Sequence, residues 1–357
     1  MAPTSTELIQ TPGELNSLFD QVGDCPVCAV DTEADSLHRY RESLCLVQFA
    51  WRESSVLIDP LALGSLEPLR AYIAGATVWM HGADYDMTML RREFGELPAR
   101  VFDTQIGARL LGVRKFGLGN LVEHYFGVVL SKSSQKADWG KRPLSSKMVD
   151  YALNDVRYLL PMAEKIVSDL QELGRYDWFE ESCEWAKAKV LERDEEPEDP
   201  WRIQGSGRLD RRGLNYLKHL WYWRDKEAAE WDRPSFMVAT NKQLIEWSEV
   251  LGSGGRIALP PHFRQDRRRR YSSMIEEARG VSEEDYPRKV KGLRRKRDKD
   301  FDARVNQWIK LRNTVASKLD IEASLVASRA MIESLAIGDS PLDDQWMTWQ
   351  KECMGLD

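Results

Sequence analysis

Acidic residues at widely separated positions constrain the fold of this chain more than any other feature of its sequence. Asp31 and Glu33 follow an apolar run, Asp86 comes much later, and Asp155 lies further on, four positions after Tyr151. These carboxylates can converge only if the chain folds back on itself several times. Converging like charges repel one another unless cations lie among them. The set therefore predicts an acidic metal site, and two cations in such a site suit phosphodiester hydrolysis.

The composition is that of an ordinary globular protein. The chain has 357 residues, of which 42% are hydrophobic and 30% charged, enough for two or three domains. No apolar run approaches the length of a membrane-spanning helix, and the N-terminus lacks the basic and apolar regions of a signal peptide. The 5 cysteines are scattered, as in proteins of a reducing compartment. We therefore expect a cytoplasmic protein with no membrane partner, and no stable protein partner is implied.

Charge is unevenly distributed along the chain. The net charge is −6, yet the strip from Arg264 to Lys299 contains 14 Lys/Arg against 7 Asp/Glu and so carries +7. A basic strip combined with an acidic metal site is compatible with a nucleic-acid partner. The alternative is that the strip is a solvated surface. The candidates for nucleic-acid binding are Arg267, Arg268, Arg269, Arg270, Arg294 and Arg295.

The first 190 residues have the pattern of an α/β domain. Short apolar runs predict strands, longer periodic stretches predict helices, and together they imply a mixed sheet flanked by helices. The predicted strands are 27–30, 44–50, 55–58, 77–80 and 100–102. The predicted helices are 66–73, 86–94, 104–111 and 147–173.

The remainder of the chain is helical and repeats itself. At an offset of 88 residues, Trp223-Arg224 of a first copy matches Leu311-Arg312 of a second, among other positions. A gapless match of this kind predicts two related helical modules. Thr240 and Ser328 are suited to cap a helix that restarts at the same point in each copy. The first helix of the second copy is indistinct in the sequence.

The candidate site residues share faces of their predicted elements. Asp31 and Glu33 alternate along a strand and so project to the same side. Tyr151 and Asp155 are four positions apart on a helix and also share a face. Asp86 opens a helix that follows the fourth predicted strand.

The chemistry of this donor set favours particular metals. Hard oxygen ligands without clustered histidine or thiolate favour Mg²⁺ or Mn²⁺ over Zn²⁺. A tyrosine has an unperturbed pKa of about 10 and is a poor base at neutral pH. We therefore expect Asp31, Glu33, Asp86 and Asp155 to bind two divalent ions, and Tyr151 to orient the attacking water.

The ordered set resembles the motifs of the DEDD exonuclease superfamily, specifically its tyrosine-bearing branch. Asp31-Thr32-Glu33 is similar to the first motif, and Tyr151 with Asp155 to the third. The stretch 81–86 is similar to the second, with Asp86 rather than Asp84 in the ligand position. The stretch 137–145 distinguishes the chain from the proofreading domains of DNA polymerases. Over its whole length the chain resembles the bacterial ribonuclease D family.

The resemblance implies a domain organisation. The first helical copy is similar to the helicase-and-RNase-D C-terminal (HRDC) domain, and the second is divergent. The expected fold is thus an α/β ribonuclease-H-like exonuclease domain followed by two all-α HRDC-type domains. The expected boundaries are 1–190 for the exonuclease domain, 191–207 for an acidic linker, 208–285 for the first HRDC domain and 286–357 for the second.

The resemblance also implies a function. We expect a metal-dependent 3′-5′ exoribonuclease that releases 5′-mononucleotides and trims tRNA precursors and other small structured RNAs. Two alternatives remain open at this point: a 3′-5′ DNA exonuclease, and an RNA-binding scaffold without catalysis. All proposed catalytic residues precede the linker, so a fragment of residues 1–190 is expected to retain hydrolysis.

Overall fold

The structure, a computed structural model, describes residues 8–193, 197–290, 298, 300–338 and 345–356. Contacts divide these residues into two compact units. The first unit contains residues 8–34 and 44–193 together with the described residues from 298 onward. The second contains 35–43 and 197–290. None of the described helices is long and apolar enough to cross a membrane.

A six-stranded mixed sheet forms the centre of the first unit. Its strands are β1 (Leu8–Ile9), β2 (Val27–Ala34), β3 (Leu44–Trp51), β4 (Ser54–Ile58), β5 (Thr77–Met80) and β6 (Arg100–Asp103). Their order is β1-β4-β3-β2-β5-β6. Strand β3 runs antiparallel to β2 and β4, and the other pairs are parallel. The five predicted strands are confirmed, whereas β1 is too short to show an alternating pattern.

The described residues from 8 to 193 contain nine helices, all in the first unit. They are α1 (Pro12–Val22), α2 (Pro60–Leu63), α3 (Glu67–Gly75), α4 (Asp84–Phe94), α5 (Thr104–Leu110), α6 (Leu118–Phe126), α7 (Ser146–Arg157), α8 (Leu159–Glu172) and α9 (Tyr176–Leu191). The single helix predicted over 147–173 is in fact two, broken at Tyr158. Pro161 lies in the first turn of α8, where its missing N–H costs least but where a continuous helix would be disfavoured.

Both faces of the sheet are covered by helices, as alternating apolar residues require. Val78 and Val101 lie on the face that packs against residues of α1, α3 and α4. Their neighbours Trp79 and Phe102 point to the other face, where both rings contact Phe179 of α9. The mixed sheet with helices on both sides confirms the predicted architecture.

The second unit is helical. It comprises α10 (Arg211–Trp231), α11 (Ser235–Val238), α12 (Asn241–Gly252) and α13 (Gln265–Gly280) around a core that includes Trp223. The predicted capping box is present, because Thr240 accepts from the Gln243 N–H and Gln243 accepts from the Thr240 N–H. The segment 35–43 joins this unit through the Tyr40 hydroxyl, which donates to Asp225 at 2.9 Å.

Among the residues described from 298 onward, four further helices belong to the first unit: α14 (Phe301–Leu319), α15 (Ala323–Val326), α16 (Arg329–Ile337) and α17 (Thr348–Met354). The first helix of the second copy, which is indistinct in the sequence, is α14 and has 19 residues. Ser328 does cap α16, as predicted.

The structure confirms the repeat. Asp232 and Asp320 end the first helix of each copy with positive φ angles of 47° and 51°. Arg224 donates to the Ala239 carbonyl at 3.2 Å, and Arg312 donates to the Ala327 carbonyl at the same distance. The two copies therefore share both the helix ending and the arginine that ties the first helix to the following turn.

The second copy shares a core with the helices around the sheet. Trp349 of α17 stacks on Trp178 of α9, with ring centroids 5.0 Å apart. The Glu181 carboxylate accepts hydrogen bonds from the backbone N–H groups of Thr348 and Trp349. Arg175 donates to the Leu319 carbonyl at 2.7 Å. The sequence predicted the second copy as a separate domain, and these contacts place it in the same compact unit as the sheet.

Candidate active site

The structure brings the predicted carboxylates together in one pocket of about 440 Å³. Carboxylate oxygens of Asp31, Glu33 and Asp155 lie within 4.8 Å of one another. Asp86 and Tyr151 line the same pocket. All five residues predicted to be catalytic are thus neighbours, although they come from β2, α4 and α7.

Strand β2 aims two of the carboxylates into the pocket. Asp31 and Glu33 project from the same face because side chains alternate along a strand. Asp31 is paired in register with Gln48 of β3, and the Gln48 amide donates to the Asp31 carboxylate at 3.1 Å. Gln48 is fully buried. A lone amide within the apolar run of β3 was the sequence signal for this partner, and it was missed.

Asp86, rather than Asp84, is the carboxylate of α4 that faces the pocket. Its Oδ1 accepts from both the backbone N–H and the hydroxyl of Thr32, at 3.0 and 2.5 Å. Asp84 is exposed and pairs with Arg193, at 2.8 Å for one of the two contacts. Thr32, which lies between Asp31 and Glu33 on β2, therefore fixes the side chain of Asp86.

A carboxylate outside the predicted set holds the turn that leads into α4. Asp103 accepts hydrogen bonds from the backbone N–H groups of Gly82, Ala83 and Gln105, at 2.7–2.9 Å. Gly82 has a φ of +68°, and a Cβ at this position would approach the Gln105 amide to 3.2 Å. Glycine is favoured here because the turn needs both a left-handed backbone and space.

Helix α7 supplies Tyr151 and Asp155 one turn apart. Ser145 caps this helix by accepting from the Met148 N–H at 3.3 Å. The Tyr151 hydroxyl interacts with the Asp155 carboxylate. The Tyr151 ring lies 6.0 Å from that of Trp139, a buried residue of the stretch 137–145. Packing against Trp139 and the interaction with Asp155 together restrict the orientation of the tyrosine.

Burial raises the pKa of every one of these carboxyl groups, and the charge of at least one neighbouring carboxylate adds to the effect. For Asp31, burial and then the charges of Asp86, Asp155 and Glu33 raise the pKa well above its usual range. The pKa of Glu33 is raised to about 9 by burial and by the charges of Asp155 and Asp86. These carboxyl groups repel one another when all are ionised, and a bound cation would stabilise their ionised forms.

The remaining two carboxyls are partly relieved by hydrogen bonds. Burial raises the pKa of Asp86 to about 6, against the lowering effect of the bonds from Thr32. Burial also raises the pKa of Asp155 to about 7, against the lowering effect of the Tyr151 hydroxyl. The pKa of Tyr151 is itself raised, first by burial and then by the charges of Asp155, Glu33 and Asp31. Tyr151 is therefore neutral at physiological pH.

The donor set fits hard divalent cations. All four acidic groups offer oxygen atoms, and the pKa of each is raised, so the fully ionised cluster is unfavourable without an added cation. Cations of the Mg²⁺ type prefer such oxygen ligands. The arrangement can therefore hold divalent metal.

Sequence reasoning missed one wall of the pocket. That wall comes from the start of α6 and from the stretch that follows this helix. His81 also lines the pocket, and its Nδ1 lies 2.9 Å from the Thr104 hydroxyl. No spacing rule connects these segments to the acidic motifs. The residues of this wall are Gly117, Leu118, Gly119, Asn120, Leu130, Ser131, Lys132 and Gln135.

Four of the arginines predicted to bind nucleic acid, Arg267 to Arg270, belong to the second unit. Arg267 and Arg270 both pair with the buried Glu227, at 2.9 and 2.7 Å. Arg268 donates to the carbonyls of Phe263 and Pro260, at 2.8 and 2.7 Å. Arg269 is exposed. Arg294 and Arg295 lie outside the described residues.

Comparison with known proteins supports the same chemistry. A family model described as 3′-5′ exonuclease matches residues 6–171. The ribonuclease D of Escherichia coli (strain K12) is 31% identical over 342 residues, which cover 92% of this chain and 89% of that protein. The ribonuclease D of Haemophilus influenzae is 29% identical and is covered to 88%, with 96% of this chain aligned.

Solved structures agree. The crystal structure of E. coli RNase D, described as an exoribonuclease involved in structured RNA processing, superposes with a TM-score of 0.76. The match covers 99% of this chain and 97% of that one, at 28% identity. The similarity therefore extends through the sheet and both helical copies.

Proposed function

We propose that this chain, which belongs to the ribonuclease D family of 3′-5′ exonucleases, hydrolyses RNA from the 3′ end and releases 5′-mononucleotides. The observation that carries the proposal is the convergence of four carboxylates and Tyr151 in one pocket. By the chemistry of their oxygen donors, Asp31, Glu33, Asp86 and Asp155 would hold two divalent ions, Mg²⁺ or Mn²⁺.

The side chains divide the work of hydrolysis. When bound, the cations lower the pKa of the attacking water and stabilise the leaving oxygen. Tyr151 stays protonated because of its raised pKa, so it positions the water by hydrogen bonding and does not act as the base. The interaction of Tyr151 with Asp155 and its packing against Trp139 restrain that hydroxyl. Thr32 holds the Asp86 carboxylate toward the other three.

The substrates we propose are the 3′ ends of tRNA precursors and other small structured RNAs. This follows from the E. coli relative, which is described as acting in structured RNA processing. We also propose that the first helical copy, residues 208–285, is an HRDC domain that binds RNA, with 286–357 as its divergent second copy. The cytoplasm is the proposed location, since RNA precursors are processed there.

A DNA exonuclease and a non-catalytic scaffold are the competing functions. The intact set of four carboxylates and a tyrosine weighs against the scaffold, because such a set is costly to bury without a cation. Neither the pocket nor the family favours DNA.

Matched oligonucleotides test the proposal. RNA and DNA of one sequence, with free or phosphate-blocked 3′ ends, are incubated with the full chain in Mg²⁺, Mn²⁺ or EDTA. We expect stepwise shortening of unblocked RNA only when a divalent ion is present, with mononucleotide products. Asp86→Asn is the control for contaminating nucleases. Faster cleavage of DNA would favour the DNA exonuclease, and binding without cleavage in either metal would favour the scaffold.

A further inference from the structure

A groove runs between α10 and α13 of the second unit. It has a volume of about 480 Å³. Lys218, Tyr222 and Lys226 lie four positions apart on α10 and so form one stripe along the groove. Arg269 and Glu277 of α13 line the opposite side. The groove is therefore flanked by cations along both helices.

The run of four arginines at 267–270 does not present four cations to a ligand. Arg267 and Arg270 neutralise Glu227, which is 1% exposed. Arg268 ties α13 to the loop before it through backbone carbonyls. In the described parts of the chain, Arg269 forms no ion pair or hydrogen bond. Three of the four guanidinium groups thus stabilise the fold. The guanidinium of Arg269 is the one left to contact a ligand in the groove.

The charge balance of the groove is positive. Lys226, like Arg269, makes no ion pair or hydrogen bond with another described residue. Lys218 interacts electrostatically with Asp199. Glu277 also lines the groove, and no arginine among the described residues pairs with its carboxylate. A polyanion is therefore the ligand whose charge complements the groove.

An aromatic ring lies at the middle of the basic stripe. Tyr222 is 47% exposed, whereas the adjacent Trp223 is buried in the core. An exposed ring between two lysines on a helix offers a stacking surface for a base, with cations positioned for the flanking phosphates. An acidic peptide would use the cations but would have no flat ring to stack on Tyr222.

The second copy lacks this arrangement. At the offset of 88 residues, Lys218, Tyr222 and Lys226 correspond to Asn306, Lys310 and Thr314. An aromatic ring and two cations are thus replaced by one cation. If the groove were a by-product of the shared fold, the second copy would be expected to retain it.

We propose that the groove between α10 and α13 binds single-stranded RNA, with a base stacked on Tyr222 and phosphates on Lys226 and Arg269. The proposal rests on the proposed function, because it gives the enzyme a second RNA contact outside the pocket. Lys218 extends the same basic track by one helical turn.

Salt-dependent binding tests the groove. The full chain carrying Asp86→Asn, which prevents cleavage, is titrated with a labelled single-stranded RNA at several salt concentrations in EDTA. The double variant Lys226→Gln/Arg269→Gln should lower the slope of log affinity against log salt by about 1.4, because each lost phosphate contact contributes about 0.7. Tyr222→Ala should weaken binding about tenfold. Thermal melting checks that each variant is folded.

The matched control is Lys310→Gln/Lys318→Gln, which removes the same charge from exposed positions of the second copy. Equal slopes for the two double variants would overturn the proposal, since net charge alone would then explain binding. Polyglutamate that competes as well as RNA, with no effect of Tyr222→Ala, would overturn it in favour of an acidic protein partner. Hydrolysis of a short RNA by the unmodified protein tests the pocket separately. If this protein does not hydrolyse the RNA, the proposed function is refuted but RNA binding in the groove is not.

Discussion

Thr32 donates two hydrogen bonds to a single oxygen of Asp86, one from its backbone N–H and one from its hydroxyl. The two residues are 54 positions apart, yet Thr32 lies between Asp31 and Glu33 in sequence. The strand that carries two carboxylates therefore also positions the third. Partners of this kind typically change metal affinity or activity by 10- to 100-fold when removed.

The first prediction concerns this contact. Thr32→Val keeps the shape and the backbone N–H but removes the hydroxyl, so we expect hydrolysis to fall about 10- to 100-fold. The Mg²⁺ concentration for half-maximal activity should rise, because Asp86 is less well held. Thr88→Val is the control, since the Thr88 hydroxyl donates only to the Asp84 carbonyl. Wild-type metal dependence in Thr32→Val would show that the hydroxyl does not position the ligand.

The second prediction ranks the tyrosine below the carboxylates. Tyr151→Phe removes a hydroxyl that orients water but leaves all four acidic groups, so we expect a loss near 10²-fold. Asp155→Asn removes a proposed metal ligand and the partner of Tyr151, and it should lower the rate by a further order of magnitude or more. Single-turnover cleavage of a short RNA measures both. A larger loss in Tyr151→Phe would contradict this assignment and make Tyr151 the base.

The third prediction concerns pH and metal removal. In the metal-free protein the pKa of Asp86 is about 6, that of Asp155 about 7 and that of Glu33 about 9, against about 4 for free carboxyl groups. The folded state therefore binds protons more tightly than the unfolded state. The contribution of these groups to the free energy of unfolding should be highest near pH 4 and should fall as the pH rises toward 9.

Thermal unfolding in EDTA from pH 5 to 9 measures this dependence. Saturating Mg²⁺ should flatten it, because the cation replaces the bound protons. Asp155→Asn should raise the free energy of unfolding of the metal-free protein at pH 8 by about 1 kcal/mol or more, since it removes one of the repelling charges. A variant less stable than the unmodified chain at this pH would contradict the electrostatic account.

The fourth prediction concerns the second helical copy. Trp349 is 2% exposed and stacks on Trp178 of α9, so Trp349→Ala should cost about 3–5 kcal/mol. The midpoint of thermal unfolding should fall by roughly 10 °C. Leu311→Ala is the control, because Leu311 belongs to the same copy but is 39% exposed. Equal melting of both variants would mean that α17 does not support the sheet-containing unit.

The fifth prediction replaces an expectation from the sequence. A fragment of residues 1–190 contains every proposed catalytic residue, but it leaves Trp178 and Glu181 without their partners on α17. We therefore expect the fragment to be less stable than the full chain and to lose activity on a short RNA at temperatures where the full chain is active. Equal thermal inactivation of the two would restore the expectation that the first 190 residues suffice.

The sequence by itself determined the local features. Strands β2 to β6, helices α3, α4 and α5 and the capping box at Thr240 depend on residues a few positions apart, whose spacing is visible in the chain. The shared face of Asp31 and Glu33 follows from the period of a strand, and that of Tyr151 and Asp155 from the period of a helix. The repeat of 88 residues was also readable, because both copies keep the same positions in order.

Tertiary structure alone decided how distant segments meet. Gln48 beside Asp31, Thr32 on Asp86 and the wall at 117–120 depend on sheet register and helix packing, which no local pattern specifies. The same holds for Arg269, since the run of arginines looks uniform until Glu227 and two backbone carbonyls engage its neighbours. Local periodicity is set by neighbours along the chain, whereas a site is set by contacts across it, and only the folded chain contains those contacts.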